Sequence, residues 1–179
     1  MNIFCTDRCP ETSARTSADK LVVKMPTESA QLFATCFSLD RLAADDCPRT
    51  KTGRARRHFN PNHPCGKWVR ESWGNFEWLL EHSFALIDEK HCRYPNGGEH
   101  FALKFIEWCR DNKQDANISS QKQTEFPCCI NASSICRTKV PDFENIDRVE
   151  QYRYFIKYDK AHYNSWIRNR PAWIDNLKY

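Results

Sequence analysis

Apolar residues recur at intervals of three and four in four separate segments of the chain, and this spacing restricts the fold more than any other feature. Side chains at this spacing share one face of an α-helix, whereas those of a half-buried strand alternate at every second position. The periodic segments are residues 16–39, 62–86, 101–109 and 147–156. The pattern predicts a mainly α-helical protein.

Proline, glycine and asparagine mark where these helices are expected to begin, bend or end. Pro26 must kink the first periodic segment or start its second half, because proline lacks a backbone donor. Asn62 is the expected N-cap of the second segment, with Pro64 just inside the helix. A break is expected at Tyr94–Gly98, and Met1–Cys5 is expected to be a short strand or an extended entry.

Long irregular stretches are expected between the helices. We expect a basic loop over residues 40–61 and an irregular, cysteine-containing excursion over residues 112–145. We expect an aromatic and basic tail over residues 161–179. At 179 residues the chain has the length of one domain. We therefore expect a single compact helical domain, residues 1–179, with long irregular loops.

The apolar segments and the cysteines of the chain indicate its cellular compartment and whether it binds a metal. No apolar segment approaches the roughly 20 residues needed to cross a bilayer, and the first twenty residues lack the apolar core of a signal peptide. We expect a soluble cytoplasmic protein without membrane contact, whose ten cysteines are reduced thiols. Because the cysteine spacings do not form the paired knuckles of a structural zinc site, we expect no metal and no cofactor.

The charge of the chain is concentrated in one loop. The net charge is only +4, but no acidic residue lies between Asp46 and Glu71. Arginine forks bind phosphate oxygens, and counterion release supplies free energy for nucleic-acid binding. This loop predicts a phosphate-binding surface, with a solvated charged loop as the alternative. Its basic side chains are those of Arg49, Lys51, Arg54, Arg56 and Arg57, with Lys67 beyond it.

Two helices carry polar residues at helical spacing. On the first, Lys20, Lys24, Glu28 and Gln31 fall on one face if the helix is continuous. On the second, Trp68, Glu71, Asn75 and Trp78 could form the wall of a pocket. Alternatively, the first set decorates a solvated surface, and the Trp rings fill the core while Glu71 and Asn75 bond to neighbouring backbone. His63, at the helix opening, is either part of the same site or an ordinary capping residue.

With these residues identified, the chain resembles the pyrimidine-dimer DNA glycosylases of the bacteriophage endonuclease V family. The interval from Asp19 to Glu28 is the interval between an Asp and the catalytic Glu on that family's first helix. Further motifs similar to the family's are Gly53–Phe59 with Pro61, Trp73–Leu79, and Arg170-Pro171-Ala172-Trp173.

The chain is most similar to a group of uncharacterised phage proteins that look like distant relatives of that enzyme. The shared features are a DKxVVKM helix followed by Glu and Gln, and a longer NHPCxxWxRESxxNxxWL motif. In this sequence the first motif begins at Asp19 and contains Lys20 and Lys24, and the second contains Asn62, His63, Trp68, Arg70, Glu71 and Asn75.

The resemblance implies a DNA glycosylase and lyase acting on a damaged or modified pyrimidine in double-stranded DNA. In the family, the N-terminal amine attacks C1′ of a flipped nucleotide, an imine forms, and β-elimination cleaves the strand. The Glu stabilises the cationic sugar and carries protons. Because Asn2 disfavours removal of the initiator, the nucleophile would be the Met1 amine. The implied catalytic residues are therefore Met1, Asn2 and Glu28, and the compartment is the host cytoplasm if the protein is phage-encoded.

The same resemblance, together with the two polar faces and the basic loop, implies a wider set of DNA-contacting residues. These candidates are Lys20, Lys24, Gln31, Lys51, Arg54, Arg56, Arg57, Asn62, His63, Trp68, Arg70, Glu71, Asn75, Arg170 and Trp173. Two alternatives stay open at this point. The chain could be a non-catalytic DNA-binding module on the same scaffold, or an enzyme acting on a nucleotide or modified base.

Overall fold

The computed structural model describes residues 1–178, which form nine α-helices joined by loops and short 3-10 turns. The protein is 54% helical, and no β-strand occurs among the described residues. This confirms the predicted fold class. The α-helices are α1 Pro10–Arg15, α2 Asp19–Ala34, α3 Leu39–Ala43, α4 Pro64–Glu71, α5 Trp73–Arg93, α6 Leu103–Asp111, α7 Ile135–Lys139, α8 Arg148–Tyr158 and α9 Trp173–Asn176.

The long helix α5 is the centre of the fold, and α1, α2, α4 and α6 all pack against it. Its buried face carries Phe76, Leu79 and Leu86, and Phe76 packs edge-to-face on Phe33 of α2 with 4.9 Å between ring centroids. One hydrophobic cluster contains buried residues from all nine of these α-helices. The amphipathic faces predicted from the sequence therefore meet in a common core.

Several predicted helix boundaries were wrong. The N-cap of α4 is His63 rather than Asn62, since the His63 side chain accepts a hydrogen bond from the Cys65 N–H. The predicted helix over residues 62–86 is two helices, which separate at Ser72. This residue is extended, caps α5 through its hydroxyl and forms an isolated parallel bridge with Ser120. Helix α2 passes through Pro26 without ending.

The predicted loops contain short helices. Helix α3 begins just before the 40–61 stretch and covers its first residues, and 112–145 contains α7 and two 3-10 turns, Lys113–Asp115 and Phe143–Asn145. The tail contains the 3-10 turn Ala161–Tyr163 and α9, while Tyr179 lies outside the described residues. Residues 1–5 form no strand; Met1 is half-buried and the next four residues are buried in the core.

The excursion is held against the start of α5 by a close backbone approach. Trp73 and Gly74 donate their N–H groups to the carbonyls of Ser120 and Gln121. A Cβ at Gly74 would lie 2.5 Å from the Gln123 nitrogen, so only glycine fits at this position. This contact carries the chain after residue 120 along α5 and on to Cys129.

Candidate functional site

The polar face of α2 exists as predicted, because the helix is continuous. Lys20 and Lys24 are exposed and Glu28 and Gln31 are half-buried. The Lys24 ammonium lies 2.8 Å from Glu28 Oε1, and this hydrogen bond raises the pKa of Lys24. The side chain of Glu28 is 13% exposed, so its carboxylate is both accessible and held in position.

The first residues of the chain lie against this carboxylate. The backbone N–H of Asn2 donates to Glu28 Oε2 at 2.8 Å. The Asn2 side chain accepts from the N–H groups of Ile3 and Phe4 and donates to the Cys129 carbonyl at 3.2 Å. Phe4 adopts a left-handed conformation, with φ of 52°. The Met1 amine is therefore anchored one peptide away from Glu28.

The N-terminus of α4 closes the other side of this site. His63 Nδ1 accepts the N–H of Cys65, and Cys65 Sγ lies 3.2 Å from Cys129 Sγ. The backbone of Cys129 is held by Tyr152, since the Cys129 N–H donates to the Tyr152 hydroxyl at 3.1 Å. We call Met1, Asn2, Glu28, His63, Cys65 and Cys129 the N-terminal cluster.

Electrostatics within the N-terminal cluster couple its ionisable groups. Burial lowers the pKa of His63, and the positive charge of the Met1 amine lowers it further. The Sγ atoms of Cys65 and Cys129 share a hydrogen bond, which lowers the pKa of Cys129 and raises that of Cys65. The imidazole is thus favoured in its neutral form, and Cys129 is the more acidic of the two thiols.

Two of the predicted DNA-contacting residues lie in the core. Trp68 is 3% exposed, and its ring packs on Trp78 and Phe126. Asn75 is fully buried, where it donates to the Trp68 carbonyl at 2.7 Å and accepts the Thr124 N–H at 2.9 Å. Neither side chain has surface for a nucleic acid to contact. The Trp68 ring fills the core and Asn75 bonds to backbone, which is the alternative that the sequence left open.

Three further predicted residues have structural contacts. Arg56 is half-buried; its guanidinium stacks on Phe105 at 3.8 Å and donates to the Pro48 carbonyl. Arg70 is half-buried and donates to the Pro61 carbonyl at 2.8 Å, which holds the end of the basic loop to α4. Glu71 is exposed and accepts a hydrogen bond from the Thr124 hydroxyl rather than from backbone.

The remaining cations of the basic loop stay at the surface. The exposed side chains of Lys51, Arg54, Arg57 and Lys67 make no salt bridge with any carboxylate among residues 1–178, and we call these four residues the basic surface. Phe59 lies in the same loop with 56% of its surface exposed. The loop continues through the exposed Asn62 directly into His63, so the basic surface and the N-terminal cluster adjoin along the chain.

The tail residues lie elsewhere. Arg170 forms an ion pair with Asp175 and lines a cavity of about 920 Å³ with residues of α1 and α5. Trp173 is half-buried, 5.8 Å from the Arg153 guanidinium. None of these contacts involves the N-terminal cluster.

Sequence reasoning did not find Cys65 and Cys129 as site residues. His63, Cys65 and Cys129 form the one group of three His, Cys, Asp or Glu residues among residues 1–178 whose ligand atoms all lie within 4.8 Å of one another. The His-x-Cys spacing at residues 63–65 was a sequence signal for this group, but its third member, Cys129, lies 64 residues beyond Cys65. All ten cysteines are free thiols in the structure.

No helix among residues 1–178 is both long enough and apolar enough to cross a membrane. No family model, no curated protein and no solved structure matches the chain.

Proposed function

We propose that this protein is a DNA glycosylase and lyase that uses the Met1 amine as nucleophile and Glu28 as its acid–base group. The hydrogen bond of 2.8 Å from the Asn2 N–H to Glu28 supports this proposal best. It holds a carboxylate within one peptide of the primary amine of Met1, a half-buried residue. Amine and carboxylate are the two groups that imine chemistry at a sugar carbon requires.

In the proposed reaction the neutral amine forms a bond to C1′ of an extruded nucleotide and the glycosidic bond breaks, so that the base leaves with the bonding electrons. Ring opening then yields an imine between the amine and C1′, and β-elimination expels the 3′ phosphate. Glu28 stabilises the positive charge on the sugar and carries protons between these steps. Lys24 fixes the orientation of the carboxylate through its 2.8 Å ion pair.

DNA binding in this proposal rests on the basic surface. Its four exposed cations form no ion pair with a carboxylate of residues 1–178, so they can contact phosphates. Lys20, one helical turn before Lys24, extends the positive charge along α2. Base extrusion costs a few kcal/mol, which such phosphate contacts offset.

The decisive experiment is reduction with borohydride in the presence of oligonucleotides that carry a pyrimidine dimer or an abasic site. This chemistry needs an unmodified amine at residue 1, so the intact mass of the protein is measured first. We expect a covalent protein–DNA adduct whose DNA-linked peptide begins at Met1. Absence of an adduct with every lesion would contradict the proposal.

The matched variants are Glu28→Gln and Glu150→Gln, the latter at an exposed carboxylate of α8. Loss of the proton-transfer group should slow strand cleavage by about 10²–10⁴-fold, whereas Glu150→Gln should leave the rate unchanged. Full cleavage by Glu28→Gln would refute the assigned role.

The second candidate is a DNA-binding module without catalysis, which the unpaired cations of the basic surface also support. It predicts salt-sensitive DNA binding with no trapped adduct. Thermal-shift measurements with nucleotides and with duplex DNA distinguish both from an enzyme that acts on a free nucleotide.

A further inference from the structure

The N-terminal cluster contains a set of donor atoms that the proposed amine chemistry does not use. Cys65 is fully buried, while His63 and Cys129 are half-buried, and their ligand atoms lie within 4.8 Å of one another. Two thiols and an imidazole are the donors that zinc prefers in proteins. In the described chain no other three such residues come together in this way.

We propose that His63, Cys65 and Cys129 bind one zinc ion and leave a fourth position exchangeable. Three protein ligands with one open position are typical of zinc sites that bind or activate a small ligand. Two thiolates balance the charge of the ion, and the neutral imidazole adds no charge. This site goes beyond the glycosylase and lyase chemistry proposed above and does not depend on it.

The backbone already holds two sides of this site. His63 is the N-cap of α4 and Cys65 lies in its first turn, and the hydrogen bond from the Cys65 N–H to His63 Nδ1 holds the imidazole against that turn. The backbone of Cys129 is fixed on both sides of the residue, since the Tyr152 hydroxyl accepts its N–H and the Asn2 amide donates to its carbonyl. These contacts act as the outer shell that orients metal ligands.

Binding requires only small changes in the site. The Sγ–Sγ distance of 3.2 Å must open to about 3.8 Å, the separation set by tetrahedral zinc with Zn–S bonds of about 2.3 Å. The two thiols release their protons to solvent. The N–H of Cys65 now donates to His63 Nδ1, and ligation through that nitrogen would redirect this one hydrogen bond.

The competing fate of the two thiols is a disulfide. Their sulfurs are close but not bonded in the structure. A Cys65–Cys129 disulfide would remove two of the three ligands, so oxidation and zinc binding exclude each other. The experiment must therefore separate a metal site from a redox-active pair.

The test uses the full chain, purified under reducing conditions without added metal and stripped by a chelator. Co²⁺ is titrated into the apo protein, and Zn²⁺ is then added in competition. We expect one Co²⁺ per chain with an intense thiolate-to-cobalt charge-transfer band, which Zn²⁺ bleaches. We also expect the melting temperature to rise with Zn²⁺, because an ion that binds only the folded state stabilises it.

The variants isolate each ligand. Cys129→Ser should weaken binding by more than about 100-fold, since loss of even an outer-shell group costs about 10–100-fold. His63→Asn keeps a good helix cap while it removes the imidazole, and it should also lose affinity. Cys128→Ser, at the neighbouring half-buried thiol, is the matched control and should bind as the wild type does.

Any of three results would overturn the site. One is the absence of a charge-transfer band in a chain that circular dichroism shows to be folded. Another is equal affinity in Cys129→Ser and Cys128→Ser. A Cys65–Cys129 disulfide in the purified protein, found by mass spectrometry together with no metal uptake after reduction, would assign the pair to redox chemistry instead. All these readouts are made without DNA, so they are independent of borohydride trapping.

Discussion

His82 of α5 is a buried residue whose protonation is coupled to folding. Its ring stacks on Trp78 with 4.8 Å between centroids, and neither ring nitrogen has a hydrogen-bond partner. Burial lowers the pKa of His82 to about 3. The ring is therefore neutral in the folded protein at pH values where the unfolded chain, with an ordinary histidine pKa near 6.5, binds a proton.

From this difference we predict that His82 makes the fold acid-sensitive. Between about pH 6.5 and pH 3 the unfolded state binds one more proton, so the unfolding free energy falls by up to about 1.4 kcal/mol per pH unit. Above pH 6.5 the effect is absent. Urea unfolding of wild type and His82→Leu across this range measures it. The variant should show a shallower acid slope, and identical slopes would contradict the assignment.

The helices are joined at one end by a buried ionic network centred on Arg93, the last residue of α5. Its guanidinium donates to Glu89 and Asp19 at 2.8 Å each and to the carbonyls of Arg15 and Ser17. The Arg93 side chain is fully buried and the Glu89 side chain is 4% exposed. One side chain thus connects α5 with α2 and the end of α1.

We predict that Arg93→Met destabilises the protein by about 3–5 kcal/mol, because it leaves the buried carboxylates of Asp19 and Glu89 without the buried cation between them. The matched control is Arg110→Met, which removes an exposed ion pair with Asp111 and should cost about 0–1 kcal/mol. Chemical denaturation of both variants measures the difference. Equal losses would mean that the network does not join the helices.

At the scale of the whole molecule, the question is where a net charge of +4 acts. Many arginines of this chain are paired with carboxylates, among them Arg41, Arg93, Arg137 and Arg153. The four cations of the basic surface form no ion pair within the described part of the chain. Its cations therefore dominate the field that a polyanion would meet on this side of the protein.

We predict that DNA affinity falls steeply with salt, and that Arg54→Ala combined with Arg57→Ala reduces the slope of log K against log salt by about 2, one for each lost phosphate contact. Arg15→Ala, at an exposed arginine of α1 paired with Glu11, should not change the slope. Fluorescence anisotropy at several salt concentrations measures both. Salt-independent binding would exclude the basic surface as the contact.

Several features of the fold could be read from the sequence because they depend on near neighbours. The period of apolar residues predicted the helices, and α2 carried Lys24 and Glu28 on one face as expected. Helix α1 was missed, since its six residues are mostly polar and show no period. The break at Ser72 was missed because its bridge partner, Ser120, is distant in the chain.

The sequence by itself determined the helical class, the position of the exposed basic loop and the residues on each helix face, because these follow from local spacing and charge. Only the tertiary structure decided which polar residues are buried, since Asn75 and Trp68 have the same spacing in the core as they would have at the surface. It also brought Asn2 to Glu28 across 26 residues and Cys129 to Cys65 across 64. Contacts of that separation depend on how the helices pack, and no local pattern encodes them.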